Sequence, residues 1–318
     1  MMKAVVIDRY GPPDVQSVRA IPRPLARAGE VRVQVHAATV GRTDTATLRA
    51  HPFFMRAATG VFRPKMKTLG MDFAGVVDQL GDGVTGFGLG DRVFGISPDV
   101  FGAHAEYLCV SAKGALAHIP DILDFDQAVV GEGAWYAEET TKLLSEGTRC
   151  LIYGASGAIG TASVQLAKAN GAHVVAVVGT RHIGWPERLG ADRTLNYEAE
   201  DFTAIGETFD LVFDAVGKTS YFECRPLLKK NGVFSATDLG AGGSNLLLSA
   251  WYGLTGSKRV QLPFPADTQG FFQRLANLMA DGRFQGVFDR SYPLDDIVEA
   301  FRYVEQGQKT GIVVIKVR

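Results

Sequence analysis

The sequence predicts an α/β protein made of a doubly wound parallel sheet and a second, β-rich domain. Three observations lead there. The apolar run Cys150–Tyr153 breaks into the small residues Gly154–Gly160 and then into Thr161–Lys168, where Ile159, Ala162, Leu166 and Ala167 fall near helical spacing. Short apolar runs then alternate with helical stretches, at His173–Val178, Leu211–Val216 and Gly232–Ala236, as buried parallel strands do. Before Asp124 the texture differs, with short apolar runs cut by tight glycine turns.

Taken in order, Ala4–Ile7 reads as a first strand and Tyr10–Asp14 as a turn. Val31, Val33 and Val35 alternate with Arg32, Gln34 and His36, which predicts a half-buried antiparallel strand. Gly81-Asp82-Gly83 and Gly86–Asp91 are turns inside a β-rich stretch over residues 69–110. Gly171-Ala172 ends the helix after the small-residue turn. Phe271–Met279 and Leu294–Val304 have helical patterns, and Gly311–Ile315 is a closing strand.

A chain of 318 residues suggests two domains, and 46% hydrophobic with 21% charged residues is ordinary for a soluble protein. A formal net charge of −1 offers nothing to nucleic acid or an anionic membrane. The three cysteines, Cys109, Cys150 and Cys224, are far apart and odd in number, which suits a reducing compartment rather than a disulfide framework. Met1-Met2-Lys3 runs straight into a strand, without a signal-peptide pattern, and no apolar run is long enough to span a bilayer. The expected location is the cytoplasm. The expected partner is a small-molecule substrate, with no nucleic acid and no membrane, and with room for a homodimer.

Strand, small-residue turn and helix start together form a dinucleotide site. Gly154, Ala155, Ser156, Gly157, Ala158, Ile159 and Gly160 are the expected pyrophosphate cradle. The turn must be tight, the backbone must approach the phosphates, and the helix N-terminus supplies free N–H groups and a favourable dipole. The second strand of the unit ends in Gly179-Thr180-Arg181-His182, where an NAD-preferring chain would place Asp or Glu. The next carboxylate in sequence is Glu187. A hydroxyl followed by a guanidinium suits a 2′-phosphate, so NADP(H) is the expected cofactor and Thr180, Arg181 and His182 its adenosine-end contacts.

Several segments in order resemble the medium-chain dehydrogenase/reductase superfamily, specifically its zinc-free quinone oxidoreductase-like branch. They are Gly70–Val77, Gly90–Gly95, Gly102–Tyr107, His118–Pro120, the 154–160 turn with Gln165–Lys168, Leu189–Asp192 before Asn196-Tyr197, Phe213–Gly217, and Tyr292-Pro293-Leu294 through Ile315. The resemblance implies a GroES-like catalytic domain over 1–120 and 265–318, and a Rossmann NADPH-binding domain over 121–264. It implies a nicotinamide end in a cleft between domains, and adds Tyr197, Val216 and Gly217 to the cofactor contacts.

Zinc-dependent members carry Gly-His-Glu where this chain has Gly70-Met71-Asp72, and a Cys where it has Gly41. A thioether and a glycine cannot replace imidazole and thiolate around Zn²⁺, so no metal is expected, and the six histidines read as surface or packing residues. Arg42, Thr43 and Asp44 are the candidate substrate or nicotinamide contacts, although Thr43 or Asp44 equally suits a helix cap. Relatives usually have an apolar stretch ending in Thr-Ala before the fingerprint strand. Here Val130–Glu139 is shortened, lacks the Thr and gains Glu132, with Trp135 and Tyr136 as cleft or core aromatics.

The resulting expectation is an NADPH-dependent oxidoreductase that passes hydride to a quinone or an α,β-unsaturated carbonyl compound. Two rivals stand beside it: an enoyl-thioester reductase, for which Arg56, Arg63, Lys65 and Lys67 would be the basic patch, and a non-catalytic NADPH-binding redox sensor.

Overall fold

A computed structural model describes residues 1–53, 56–254, 259–263 and 269–318. The chain forms two compact units, Met1–Glu132 with Asp267–Arg318, and Gly133–Ala266. In chain order the strands are β1 (Met2–Ile7), β2 (Gln16–Ile21), β3 (Glu30–Thr39), β4 (Asp72–Leu80), β5 (Arg92–Ile96), β6 (Tyr107–Ser111), β7 (Leu116–His118), β8 (Arg149–Tyr153), β9 (His173–Val178), β10 (Arg193–Asn196), β11 (Phe209–Asp214), β12 (Leu228–Ala236), β13 (Val260–Gln261), β14 (Phe288–Pro293) and β15 (Ile312–Lys316).

In the first unit β1 and β2 form an antiparallel ribbon. The main sheet runs β14-β15-β3-β4-β5-β7, with β6 also pairing with β3. The alternation in β3 is observed: Val31, Val33 and Val35 are wholly buried while Arg32, Gln34 and His36 are half-buried. Arg32 uses its outward position to grip Asp78 on β4 with two hydrogen bonds of 2.8 and 3.0 Å. The helix Ile297–Glu305 buries Ile297, Ala300, Phe301 and Val304, a single stripe at helical spacing. The predicted helix 294–304 thus begins with a tighter turn, Leu294–Asp296, before becoming α-helical. Phe94 of β5 packs on Phe272 of the helix Gln269–Ala280, with ring centroids 5.7 Å apart.

The second unit is a six-stranded, wholly parallel sheet in the order β10-β9-β8-β11-β12-β13. Its strands are nearly continuous apolar runs because both faces are covered. Leu151, Val175, Val177, Val212, Phe209 and Phe234 form the core of one face. The helix Ala158–Ala169 buries Gly160 through Ala167, which its small side chains permit at close range to the sheet. Numbered within the unit, the order is 3-2-1-4-5-6, the doubly wound dinucleotide-binding arrangement. The order reverses between β8 and β11, and ligands of such sheets sit outside the strand ends at that point. Among the described residues no helix is long and apolar enough to cross a membrane.

Candidate functional site: a dinucleotide turn and a buried carboxyl cluster

The switch point carries the small-residue turn. Gly154 follows β8 with φ of +77°, and its amide donates to Val177 O at 3.0 Å, so β9 holds the turn in place. A β-carbon on Gly154 would lie 2.7 Å from both methyls of Val216, in the loop after β11. One on Gly160 would lie 2.2 Å from Gly154 O. These two glycines are therefore demanded by the fold itself. Gly157 is not. It has φ of −80°, open to any residue, and a β-carbon there would meet nothing closer than 3.7 Å. Gly157 N-caps the helix Ala158–Ala169 with no side-chain cap, and Thr161 returns its hydroxyl to Gly157 O at 2.9 Å. The first-turn amides are left for a ligand, and the glycine keeps the approach clear. A pyrophosphate fits this cradle. Ser156, Ala158 and Ile159 are half-buried around it, whereas Ala155 is buried and packs into the fold.

Val216 and Gly217 lie in the facing loop, which Asp214 organises. Its buried carboxylate accepts four successive amides, from Val216 (3.0 Å), Gly217 (2.9 Å), Lys218 (2.8 Å) and Thr219 (2.7 Å). Burial pushes its pKa up and the four donors draw it back. In sequence this segment is a strand leading into a loop, with Val216 and Gly217 expected as cofactor contacts from the resemblance alone. The signal was an Asp closing an apolar strand before Ala-Val-Gly.

At the end of β9, Thr180, Arg181 and His182 form one tight turn. Arg181 is exposed and has no ion pair or hydrogen bond among the described residues. Thr180 is engaged: its hydroxyl donates to Glu198 Oε2 at 2.6 Å and its amide to the same oxygen at 3.3 Å. Asn196 Nδ2 donates to the Thr180 hydroxyl at 2.9 Å. Tyr197 is exposed, with its ring 5.7 Å from that of Tyr153. Nothing in the sequence ties Glu198 to the end of β9, because it follows β10 and reaches Thr180 only through the fold.

In the first unit the first-turn residues of the helix Arg42–Arg49 separate into different tasks. Arg42 is exposed and Thr43 half-buried. Asp44 is fully buried, and both its oxygens are occupied, accepting from Gly41 N at 2.9 Å and Gly70 N at 3.0 Å. Expected as a substrate contact or a cap, it is a cap that also ties the helix to the residue before Met71. Asp72 is buried as well, accepting from the Thr39 hydroxyl at 2.9 Å and the Glu132 amide at 2.6 Å. The carboxylate of Glu132 fills the space beside Gly41, with Oε2 2.3 Å from where a β-carbon would stand.

Three buried carboxyls and one lysine thus meet. Burial pushes Asp44 up to about 7 against the pull of its two amide donors. Burial, then the charge of Asp44, pushes Glu132 up to about 7, while the Thr43 hydroxyl and Lys309 pull it back. Burial, then Glu132, holds Asp72 well above the usual carboxylate range. Burial lowers Lys309 to about 8, with Glu132 opposing and Arg42 reinforcing. Lys309 also donates to Gly311 O. Asp72, Glu132 and Lys309 as a cluster were not foreseen, since the strand, helix and loop that bring them together are remote in sequence. His104, wholly buried, donates from Nε2 to Thr39 O at 2.8 Å, and burial lowers it to about 4, so it is a neutral packing histidine. Met71 is buried, and among the described residues no group of three or more His, Cys, Asp or Glu side chains is placed to hold a metal ion. Trp135 and Tyr136 are half-buried on the helix Gly131–Thr141, their rings 5.3 Å apart.

A parallel sheet in this order, with a glycine turn at its switch point, is the arrangement of the dinucleotide-binding class of α/β folds. Residues 27–121 match the alcohol dehydrogenase GroES-like domain, and residues 189–315 match the family described as zinc-binding dehydrogenase. The chain is 29% identical to the chloroplastic quinone-oxidoreductase homolog of Spinacia oleracea, over 93% of this chain and 92% of that one. It is 26% identical to the quinone oxidoreductase of Homo sapiens, over 99% and 98%. The quinone oxidoreductase structure from Coxiella burnetii superposes with a TM-score of 0.88 at 28% identity, covering 100% of this chain and 99% of that one. The two family matches, the relatives and the structural neighbour together support the medium-chain dehydrogenase/reductase superfamily, in its quinone-oxidoreductase-like branch. The chain is an oxidoreductase of a family that uses pyridine nucleotides.

Proposed function

We propose that the chain is a zinc-free, NADPH-dependent reductase of quinones or α,β-unsaturated carbonyl compounds, acting in the cytoplasm. The observation that carries the reading is the division of labour in the turn: Gly154 and Gly160 serve the fold, and Gly157 leaves the uncapped helix start open. The residues present fit the cofactor. Gly154 through Gly160 would hold the pyrophosphate, Arg181 the 2′-phosphate, and Val216 and Gly217 the strand-end side of the chain. Bound there, NADPH supplies a hydride, and with one proton from solvent an electron-poor double bond is reduced.

The zinc-free part rests on donor chemistry. Met71 offers only a buried thioether. Gly41 offers no side chain, and Glu132 already fills the space beside it. Asp44 has both oxygens bound to amides. Substrate activation then falls to positioning and to the acceptor's own electron deficiency, with exposed Arg42 and the half-buried Thr43 hydroxyl as the polar groups on offer.

The test is NADPH oxidation against a panel of benzoquinones, small enones and enoyl-CoA esters. Turnover of quinones or enones above the enoyl esters is the expected result. Preference for the esters would move the chain to the enoyl-thioester class, and no turnover with tight NADPH binding would make it a sensor.

A further inference from the structure

The end of β9 is where a dinucleotide-binding sheet meets the adenosine ribose, and a carboxylate there distinguishes a 2′-hydroxyl from a 2′-phosphate. Gly179 follows β9 and brings no side chain. The vacancy is filled from the loop after β10, by Glu198 and, at 2.9 Å, by the Tyr197 hydroxyl. Glu198 Oε1 lies 2.8 Å from the point where a β-carbon on Gly179 would stand. The carboxylate is held there by the Thr180 amide and hydroxyl, and the Glu198 amide is anchored to Asn196 Oδ1 at 3.0 Å. Asn196 also orients the Thr180 hydroxyl toward Glu198 by donating to it.

We propose that Glu198 is a cofactor-selectivity residue: it takes the place of the acidic residue missing from β9, accepts a ribose hydroxyl of NADH, and opposes the 2′-phosphate of NADPH. Two consequences follow from the same contacts. The Thr180 donors, which the sequence offers to a phosphate, are already spent on Glu198. Arg181, free among the described residues, is left as the group favouring the phosphate. Arg181 and Glu198 therefore act in opposite directions, and the chain uses NADH as well as NADPH. This rests on the reading that a pyridine nucleotide binds at the 154–160 turn.

Glu198→Gln keeps the size and the acceptor oxygen but removes the charge. The side chain is exposed, so the variant should fold, which circular dichroism checks. Dissociation constants for NADPH and NADH, from nicotinamide fluorescence, are compared in the wild type and in the variant. The ratio of the NADH to the NADPH constant should rise about fivefold, chiefly by tighter NADPH. At high salt the shift should shrink, because it is a charge effect. Binding of 2′,5′-ADP should tighten in the variant while that of 5′-AMP does not. An unchanged ratio, or weaker NADPH binding in the variant, would overturn the proposal. A wild type that binds neither dinucleotide would overturn the underlying reading as well, and that result is visible before any variant is made.

Discussion

At the scale of single residues, the three glycines of the turn make separable demands. Gly160→Ala drives a methyl to 2.2 Å from Gly154 O, so it should destabilise the second unit by about 1–3 kcal/mol before any cofactor is considered. Gly157→Val meets no protein atom closer than 3.7 Å at its β-carbon and should leave thermal unfolding nearly unchanged. It should weaken NADPH by more than about tenfold, since the branched side chain blocks the helix start. Normal NADPH affinity in a folded Gly157→Val would show that the turn is not the phosphate site. Arg181→Ala should weaken NADPH by about tenfold or more and leave NADH nearly unaffected; equal weakening of both would remove Arg181 from the 2′ position. The Gly-x-x-Gly-x-x-Gly spacing and Arg181 were legible in the sequence. Which glycine serves the fold was not, because the answer lies in Val216 on another loop. Nor was Glu198, because the carboxylate at the end of β9 arrives from the loop after β10.

At the scale of elements, the helix Arg42–Arg49, the start of β4 and the start of the helix Gly131–Thr141 converge on buried carboxyls. Asp44→Ala leaves the Gly41 and Gly70 amides without acceptors and should cost about 2–5 kcal/mol, read by urea unfolding. The cluster also fixes a pH dependence. Asp44 and Glu132 sit above their unfolded values, so their contribution to stability is complete below about pH 4 and is lost as pH rises through about 7. Lys309 is displaced downward, so its contribution is present above its ordinary value and is lost as pH falls through about 8. Glu132→Gln removes one of the raised carboxyls. Between about pH 5 and about pH 8 the wild type should therefore lose stability relative to this variant, with urea midpoints diverging as pH rises. Parallel midpoints across that range would mean that Glu132 is not held protonated. The elements themselves were largely readable: the alternation of β3, the runs of β8, β9, β11 and β12, and the stripe of Ile297–Glu305 are period signals. The carboxyl cluster left no such signal. In sequence Asp72 reads only as a departure from a zinc pattern and Glu132 as one from the apolar stretch before the fingerprint strand, and their contact depends on strand and helix meeting in space.

At the scale of the whole molecule, the doubly wound order of the second unit and the quinone-oxidoreductase relatives agree on an oxidoreductase of a pyridine-nucleotide family, whereas the proposal that no metal takes part rests on Met71, Gly41 and the occupied oxygens of Asp44. Direct hydride transfer without a metal is the central claim, and deuterium transfer tests it most directly. Protein dialysed against a strong chelator and checked by elemental analysis is mixed with NADPH carrying deuterium at C4 and a small enone, and the product is analysed by mass spectrometry and NMR. Zinc well below one per chain, an undiminished rate and deuterium on the β-carbon of the product are the expected results. Loss of activity on chelation with recovery on added zinc, or a reduced product without deuterium, would contradict it.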